Sequence, residues 1–191
     1  MTWKSLKKRT IFTAAPYVEV SQSTIDIGGG RIIDDFYQVH LRPFAIVVPV
    51  MENGKILTIT QYKHGAGRSS LTFPAGFVED GEAPELACRR ELLEEAGLES
   101  DEWHHLGEFI DNGNQRGCVG NYYIARNCRR IAEPDSGDLE EMQIDELTVA
   151  EIDRAYQQGQ FALTHQITVW TLARLYGGCD GSGDGSGDGD T

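Results

Sequence analysis

The sequence predicts an α/β (α+β) fold in which a mixed sheet is flanked by helices and preceded by a small antiparallel β region. Segments rich in β-branched and aromatic residues fill the first third of the chain, helix signals follow later, and 40% of the 191 residues are hydrophobic. Strands followed by inserted helices are expected where helices pack on a mixed sheet. At about 100–200 residues per domain, one domain accounts for most of the chain.

The strands are predicted from runs of β-branched and aromatic residues bounded by turn residues. Gly28-Gly29-Gly30 and Asn53-Gly54 predict hairpins. We interpret segment 64–70 as a flexible loop because it lacks the ending of a phosphate-binding loop. The predicted strands are 10–13, 18–27, 32–40, 44–51, 55–62, 71–73, 105–109, 119–125 and 142–147.

Three helices are predicted from their end signals. Segment 84–96 begins with Pro84 and is followed by Gly97, and segment 148–159 begins with the capping-box spacing of Thr148 and Glu151. Segment 164–176 ends before a glycine pair.

The chain divides into three parts. Residues 1–42 form the N-terminal β region, 43–176 the main domain, and 177–191 a tail of Gly, Asp and Ser that we expect to be disordered. The four cysteines show no C-x-x-C spacing, and neither a signal-peptide core nor an apolar run of about 18 residues is present. Free thiols, a cytoplasmic location and no membrane partner are therefore expected.

The net charge of −13 argues against a nucleic-acid partner, but the charge is unevenly distributed. Residues 76–102 hold ten acids against two arginines, and residues 131–153 hold nine acids without Lys or Arg. The remainder is basic, which suits an anionic small molecule.

Glu91, Glu94 and Glu95 share a 100° arc of the first helix, with no lysine to balance them. A solvated acidic face is the alternative, but an unbalanced carboxylate cluster is typical of a divalent-cation site. Oxygen ligands suit Mg²⁺ or Mn²⁺, and Mg²⁺ binds together with substrate phosphates. The other side of the helix is apolar and is expected to face the core: Leu86, Leu93 and Ala96.

Segment 76–98 has the spacing G-x5-E-x7-R-E-U-x-E-E-x-G-U, where U is a bulky aliphatic residue. It resembles the Nudix box at every fixed position. The resemblance implies a Nudix-type α/β/α sandwich over 43–176, one to three Mg²⁺ ions, and hydrolysis of a nucleoside diphosphate linked to another moiety. The implied roles are metal ligation and catalysis by Glu91, Glu94 and Glu95, a metal contact from the Ala75 carbonyl, an ion pair between Arg90 and Glu82, and turns at Gly76 and Gly97.

Two segments that flank the box narrow the resemblance to one branch of the family. Gln61-Tyr62-Lys63 and 71–76 resemble the ADP-ribose and ADP-sugar pyrophosphatase branch, whose N-terminal β region builds a homodimer. ADP-ribose or another nucleotide sugar is the implied substrate, giving a nucleoside monophosphate and a sugar phosphate. Lys63 stands where Arg is common, and segment 111–117 lacks an expected proline. Coenzyme A, NADH or a dinucleotide stay open as substrates, as does a non-catalytic nucleotide-sensing domain.

The second acidic block, residues 131–153, suggests a general base. In similar enzymes a glutamate from a loop after the central sheet completes the site, and Glu140 is the first candidate here, followed by Glu141. The candidate substrate contacts are drawn from the basic remainder and the loop past the box, with an ordinary surface position as the alternative for each: Lys63, Arg68, Gln115 and Arg116. His165 has no sequence partner that suggests a triad.

Overall fold

A computed structural model describes residues 2–137 and 141–177. Glu140 and the predicted tail beyond Gly177 lie outside the described residues. Within the described part, no helix combines the length and the apolar character needed to cross a membrane. Its three cysteines, Cys88, Cys118 and Cys128, are free thiols.

The N-terminal region is an antiparallel three-stranded unit of β1 (Lys4–Ala14), β2 (Val18–Gly28) and β3 (Arg31–Leu41). β1 begins six residues earlier than the predicted 10–13, and the added residues include three lysines. Lysine is unfavourable inside a sheet but common on an edge strand, where it discourages pairing with another chain. The sequence pattern therefore underestimates the length of a strand at the edge of the sheet.

The other strands are β4 (Phe44–Met51), β5 (Ile56–Lys63), β6 (Arg68–Thr72), β7 (Ala75–Phe77), β8 (Leu98–Glu99), β9 (Glu102–Asn112), β10 (Arg116–Arg130) and β11 (Gln143–Leu147). The main path through the sheet is β1-β2-β3-β10-β4-β5-β11. β10 runs parallel to β3 and β4 but antiparallel to β9, so the sheet is mixed. Through the pairing of β10 with β3, the N-terminal region and the main domain share one sheet.

The helices are α1 (Pro84–Ala96), α2 (Val149–Gln157) and α3 (Thr164–Leu175). Alternate residues of β4 face opposite sides of the sheet: Ile46 packs in a cluster with Ile152 of α2 and Val169 of α3, and Val47 packs with Leu92 of α1. This arrangement of helices on both faces confirms the predicted α/β fold.

The predicted buried face of α1 is wrong for Leu86 and Leu93, whereas Ala96 is buried as predicted. Leu86 and Leu93 are 58% and 41% exposed, whereas the small residues Ala87, Cys88 and Ala96 and the longer Leu92 and Glu95 are buried. Small side chains let the helix approach the sheet closely, and a carboxylate can share this face because β7 offers it a backbone N–H. The segment predicted as a flexible loop at 64–70 is also different, since it forms a 3-10 turn at His64–Ala66 and the start of β6.

Gly97 ends α1 in the left-handed conformation at φ +65°, and a Cβ there would overlap the carbonyl oxygen of Ala132. Gly159 has a similar φ of +70° but open space around it. We expect Gly159→Ala to lower the free energy of unfolding by about 1 kcal/mol, from backbone strain. Gly97→Ala adds a backbone clash and should lower it by about 3 kcal/mol. Urea unfolding of both variants is the measurement, and equal losses would contradict the proposed clash.

Candidate active site

The carboxylate of Glu95 is held inside the protein against β7. Glu95 is only 4% exposed, and its Oε2 accepts a hydrogen bond from the backbone N–H of Ala75 at 2.9 Å. The buried face of α1 thus places a carboxylate against β7, the strand at the start of the 76–98 motif.

Glu91 lies one helical turn earlier and packs on the next residue of the same strand. A Cβ at Gly76 would overlap the Glu91 carboxylate, so only glycine leaves room for it. The φ of Gly76 is not positive, and the close approach of the carboxylate is therefore what requires glycine here. The sequence predicts a turn at Gly76. In the structure the residue lies in β7, and glycine is required there because the Glu91 carboxylate packs against it.

Arg90 connects three acidic residues of the motif. Its guanidinium bonds Glu82 through Nε and Nη2 at 3.2 Å, Glu91 through Nη1 at 2.6 Å and Glu94 through Nη1 at 3.2 Å. It also donates to the carbonyl of Phe77 at 3.1 Å, which ties the helix to the end of β7. The hydrogen bonds to Glu82, more than any other contact, raise the pKa of Arg90. The arginine thus offsets the repulsion among carboxylates that lie on one arc of the helix.

Glu82 has a pKa below its ordinary value, chiefly because Arg90 donates to it and secondarily because the N–H of Glu79 does. A group with a lowered folded-state pKa contributes stability above its unfolded pKa, and loses it as the pH falls through the folded-state pKa. Glu82→Gln should therefore destabilise the protein at pH 7, and the gap to the wild type should close as the pH falls below about 4.3. Thermal unfolding at pH 7 and pH 3.5 measures this. A gap of the same size at both pH values would contradict the account.

A cleft of about 390 Å³ is lined by β7, the strand against which Glu91 and Glu95 pack. Its lining includes Ala75 and Gly76 from β7 and Lys63 from the end of β5, so the structure brings three predicted site residues together. Further lining residues come from distant segments: Phe44, Gln61, Asp111, Cys118, His165 and Gln166.

Gln166 fixes the strand that borders this cleft. It is buried, its Oε1 accepts from the N–H of Phe73 at 2.7 Å, and its Nε2 donates to the carbonyl of the same residue at 3.4 Å. Because Phe73 lies two residues before Ala75, α3 holds the backbone that faces Glu95. No sequence signal marked this glutamine.

Asp111 and Cys118 face each other beside the turn of the β9–β10 hairpin. The Cys118 thiol donates to Asp111 Oδ2 at 2.7 Å, and burial together with this bond raises the pKa of Cys118 to about 12. The thiol therefore stays protonated and acts as a donor rather than as a nucleophile. Burial also lowers the pKa of the neighbouring His165, which favours its neutral form.

Three other candidates lie elsewhere. The Arg68 guanidinium donates to the carbonyls of Gly159 and Phe161, at 2.9 and 3.3 Å, and so fastens β6 to the loop after α2. Gln115 and Arg116 lie at the tip of the β9–β10 hairpin, where the Gln115 carbonyl accepts from Val39 of β3. These three side chains are not part of the cleft lining at the motif among the described residues.

The second acidic block lies near the motif. The N–H of Asp135 donates to the carbonyl of Glu94 at 2.8 Å, so the loop that precedes Glu141 starts along the C-terminal end of α1. Glu141 is exposed and lines a second cavity, of about 410 Å³, that also contains Gln61. The cleft and this cavity therefore share one residue.

The oxygen donors of segment 76–98 are of the kind that binds a small divalent cation. Among residues 2–137 and 141–177, no three His, Cys, Asp or Glu side chains converge as a closed metal site. Mg²⁺ does not require one, because it binds through one or two carboxylates together with waters and substrate phosphates. Glu91 and Glu95 are held against successive residues of β7, a strand that also lines the cleft, and all candidate ligands are oxygen atoms. The residues therefore fit Mg²⁺ or Mn²⁺.

Comparison with known proteins decides the family. The model of the NUDIX domain matches residues 40–166, which is more than half of the chain. The chain belongs to the Nudix family. Its reaction class is accordingly that of a Nudix pyrophosphohydrolase, and the resemblance of the sequence to this family is confirmed.

Individual relatives and a solved structure are also similar to this chain. The chain is 28% identical over 160 residues to an ADP-ribose pyrophosphatase of Mycobacterium tuberculosis, covering 83% of this chain and 76% of that protein. It is 27% identical over 149 residues to a methanol dehydrogenase activator of Bacillus methanolicus, covering 75% and 80%. A crystal structure of an ADP compounds hydrolase superposes with a TM-score of 0.76 at 17% identity, covering 92% of this chain and 94% of that one, which shows a shared fold.

Proposed function

We propose that this Nudix protein hydrolyses the diphosphate bond of ADP-ribose or another nucleotide sugar in a Mg²⁺-dependent reaction, giving a nucleoside monophosphate and a sugar phosphate. One observation carries the proposal: β7 lines the cleft and at the same time holds the carboxylates of Glu91 and Glu95. A substrate in the cleft would thus contact the strand that holds these two carboxylates. The ADP-ribose pyrophosphatase among the relatives supports the choice of substrate.

Each part of the site has a proposed task. Glu91 and Glu95, with Glu94 and the Ala75 carbonyl, would hold Mg²⁺ or Mn²⁺. When bound, the cation supplies positive charge that stabilises the charge developing on the diphosphate. Lys63 lines the same cleft and would contact a phosphate as a point charge, without the paired contact that an arginine makes.

Arg90 and Glu82 would hold the helix and the preceding loop together, so that the carboxylates keep their position against β7. Glu140 or Glu141 would take the proton from the attacking water as general base. The start of their loop along α1 supports this task for either residue. We propose Arg68, Gln115 and Arg116 as substrate contacts only in a form of the protein that differs from this structure, such as a dimer. In this structure Arg68 and Gln115 contact other parts of the chain.

A substrate panel tests the proposed function. The chain would be assayed with Mg²⁺ and with Mn²⁺ on ADP-ribose, other nucleotide sugars, coenzyme A, NADH, dinucleotides and nucleoside triphosphates, and products separated by chromatography. We expect the highest kcat/KM for a nucleotide sugar, with two monophosphate products. Preference for coenzyme A or NADH would overturn the substrate assignment, and failure on every diphosphate would favour a nucleotide-sensing role.

We further propose that the N-terminal region forms a homodimer. β1 is exposed along its whole length, and several large apolar side chains on the region face solvent: Leu6, Ile11, Phe12, Ile32 and Tyr37. Exposed apolar surface of this kind marks interaction sites. The lysines on the edge of β1 disfavour strand-to-strand pairing of two copies, so the faces of the two sheets should meet.

Light scattering at micromolar concentration tests the dimer. We expect a dimer for the wild type and a monomer for the double variant Leu6→Glu, Phe12→Glu. The matched control is Leu175→Glu at the end of α3, an exposed leucine outside the region, which should stay dimeric. A monomeric wild type would contradict the proposal.

The free thiols of the described cysteines suit the cytoplasm, where we propose that the enzyme acts.

A further inference from the structure

The side-chain amide of Gln61 has a fixed orientation. The Thr72 hydroxyl donates its single hydrogen to the carbonyl of Ile59 at 2.8 Å, so toward Gln61 it can act only as an acceptor. The Gln61 atom that lies 3.3 Å from this hydroxyl must therefore be the NH₂ group. The carbonyl oxygen Oε1 is left pointing away from Thr72.

This oxygen is buried without a partner. Gln61 is 4% exposed, and its Oε1 has no hydrogen-bond partner among the residues that the structure describes. Buried polar atoms are nearly always hydrogen-bonded, and leaving one unpaired is unfavourable. Gln61 lines the cleft beside Lys63 and also the cavity that contains Glu141, so a group bound between these walls can supply the missing donor.

A second acceptor lines the same cleft. The Asp111 carboxylate receives the Cys118 thiol at one oxygen, Oδ2, and its other oxygen receives no hydrogen bond from any described residue. A carboxylate repels a phosphate but binds hydroxyl groups well. Lys63 thus offers positive charge to an anion, whereas Gln61 and Asp111 offer acceptors to a neutral group that carries O–H donors.

We propose that Gln61 Oε1, together with Asp111, forms an acceptor subsite for the hydroxyl groups of the sugar attached to the nucleoside diphosphate. The subsite distinguishes a hydroxylated moiety from one without hydroxyl groups, because an acceptor left unpaired weakens the complex. This inference rests on the proposed function, which it deepens by naming what recognises the second moiety.

Binding in the absence of divalent metal tests the subsite independently of turnover. The probes are ADP-ribose and the methyl ester of ADP, which keeps the nucleoside diphosphate but lacks the sugar hydroxyls. Calorimetry would give Kd for the wild type, for Gln61→Met, which keeps the volume and removes the acceptor, and for Gln158→Met, an exposed glutamine at the end of α2. We expect the wild type and Gln158→Met to bind ADP-ribose about tenfold more tightly than the ester, and Gln61→Met to lose this preference.

Thr72→Val should reduce the preference as well, because it removes the group that orients the amide. A wild type that binds both probes equally well would overturn the subsite. A Gln61→Met variant that weakens the binding of both probes equally would overturn it as well and would assign Gln61 a structural role. Failure of the proposed function has another signature: no hydrolysis of any diphosphate by the wild type with Mg²⁺, whatever the two Kd values are.

Discussion

Glu95→Gln is expected to lower kcat for ADP-ribose about 10²–10⁴-fold while leaving the protein folded. Glutamine has the same shape and keeps an oxygen that can accept from the Ala75 N–H, so the buried contact with β7 can persist. It removes the negative charge that a divalent cation requires. Steady-state hydrolysis with Mg²⁺, together with the thermal unfolding midpoint, measures both effects.

The matched control for this variant is Glu85→Gln. Glu85 lies on the same helix, has a half-exposed side chain and pairs with Arg89 at 2.9 Å. Its kcat should stay within about twofold of the wild type, as is typical of a surface change. If Glu95→Gln turned over ADP-ribose at the wild-type rate, the assignment of the buried carboxylate to metal binding would be wrong.

Gly76→Ala is expected to lower kcat about 100-fold with a smaller effect on stability, since a misplacement of about 1 Å in an active site has this effect on rate. The added methyl group would overlap the end of the Glu91 side chain, which is flexible and can move away. The fold can thus adapt, but the carboxylate can no longer lie against the strand. Hydrolysis rates and urea unfolding of the same preparation separate these two consequences.

Gly113→Ala is the control for this second variant. Gly113, in the β9–β10 hairpin, has open space around its Cα and no positive φ, so alanine should leave the rate and the stability close to wild type. Wild-type hydrolysis by Gly76→Ala would show that the position of Glu91 against β7 has no part in the reaction.

The motif helix could be predicted from sequence in its limits but not in its rotation. Pro84 and Gly97 mark its ends, and the structure has the same bounds. The rotation was predicted from leucines, yet Leu86 and Leu93 face solvent and Glu95 is buried. An amphipathic pattern assumes that charge faces water, and this assumption fails where a strand supplies a hydrogen-bond donor to a buried carboxylate.

The cleft shows a second limit of sequence reasoning. Asp111, His165 and Gln166 come together with Gln61 only through the pairing of strands and the packing of α3, and no local spacing relates them. Arg68 illustrates the converse, because its charge made it a candidate phosphate contact while its geometry commits it to two backbone carbonyls. A count of basic residues cannot distinguish these tasks.

The most direct test of the account is hydrolysis of ADP-ribose by the wild-type chain with Mg²⁺ added or removed by chelation. We expect AMP and ribose 5-phosphate to form in equal amounts with Mg²⁺, turnover to stop on chelation, and Mg²⁺ or Mn²⁺ to restore it. Intact ADP-ribose in the presence of both cations, or turnover that persists after chelation, would contradict it.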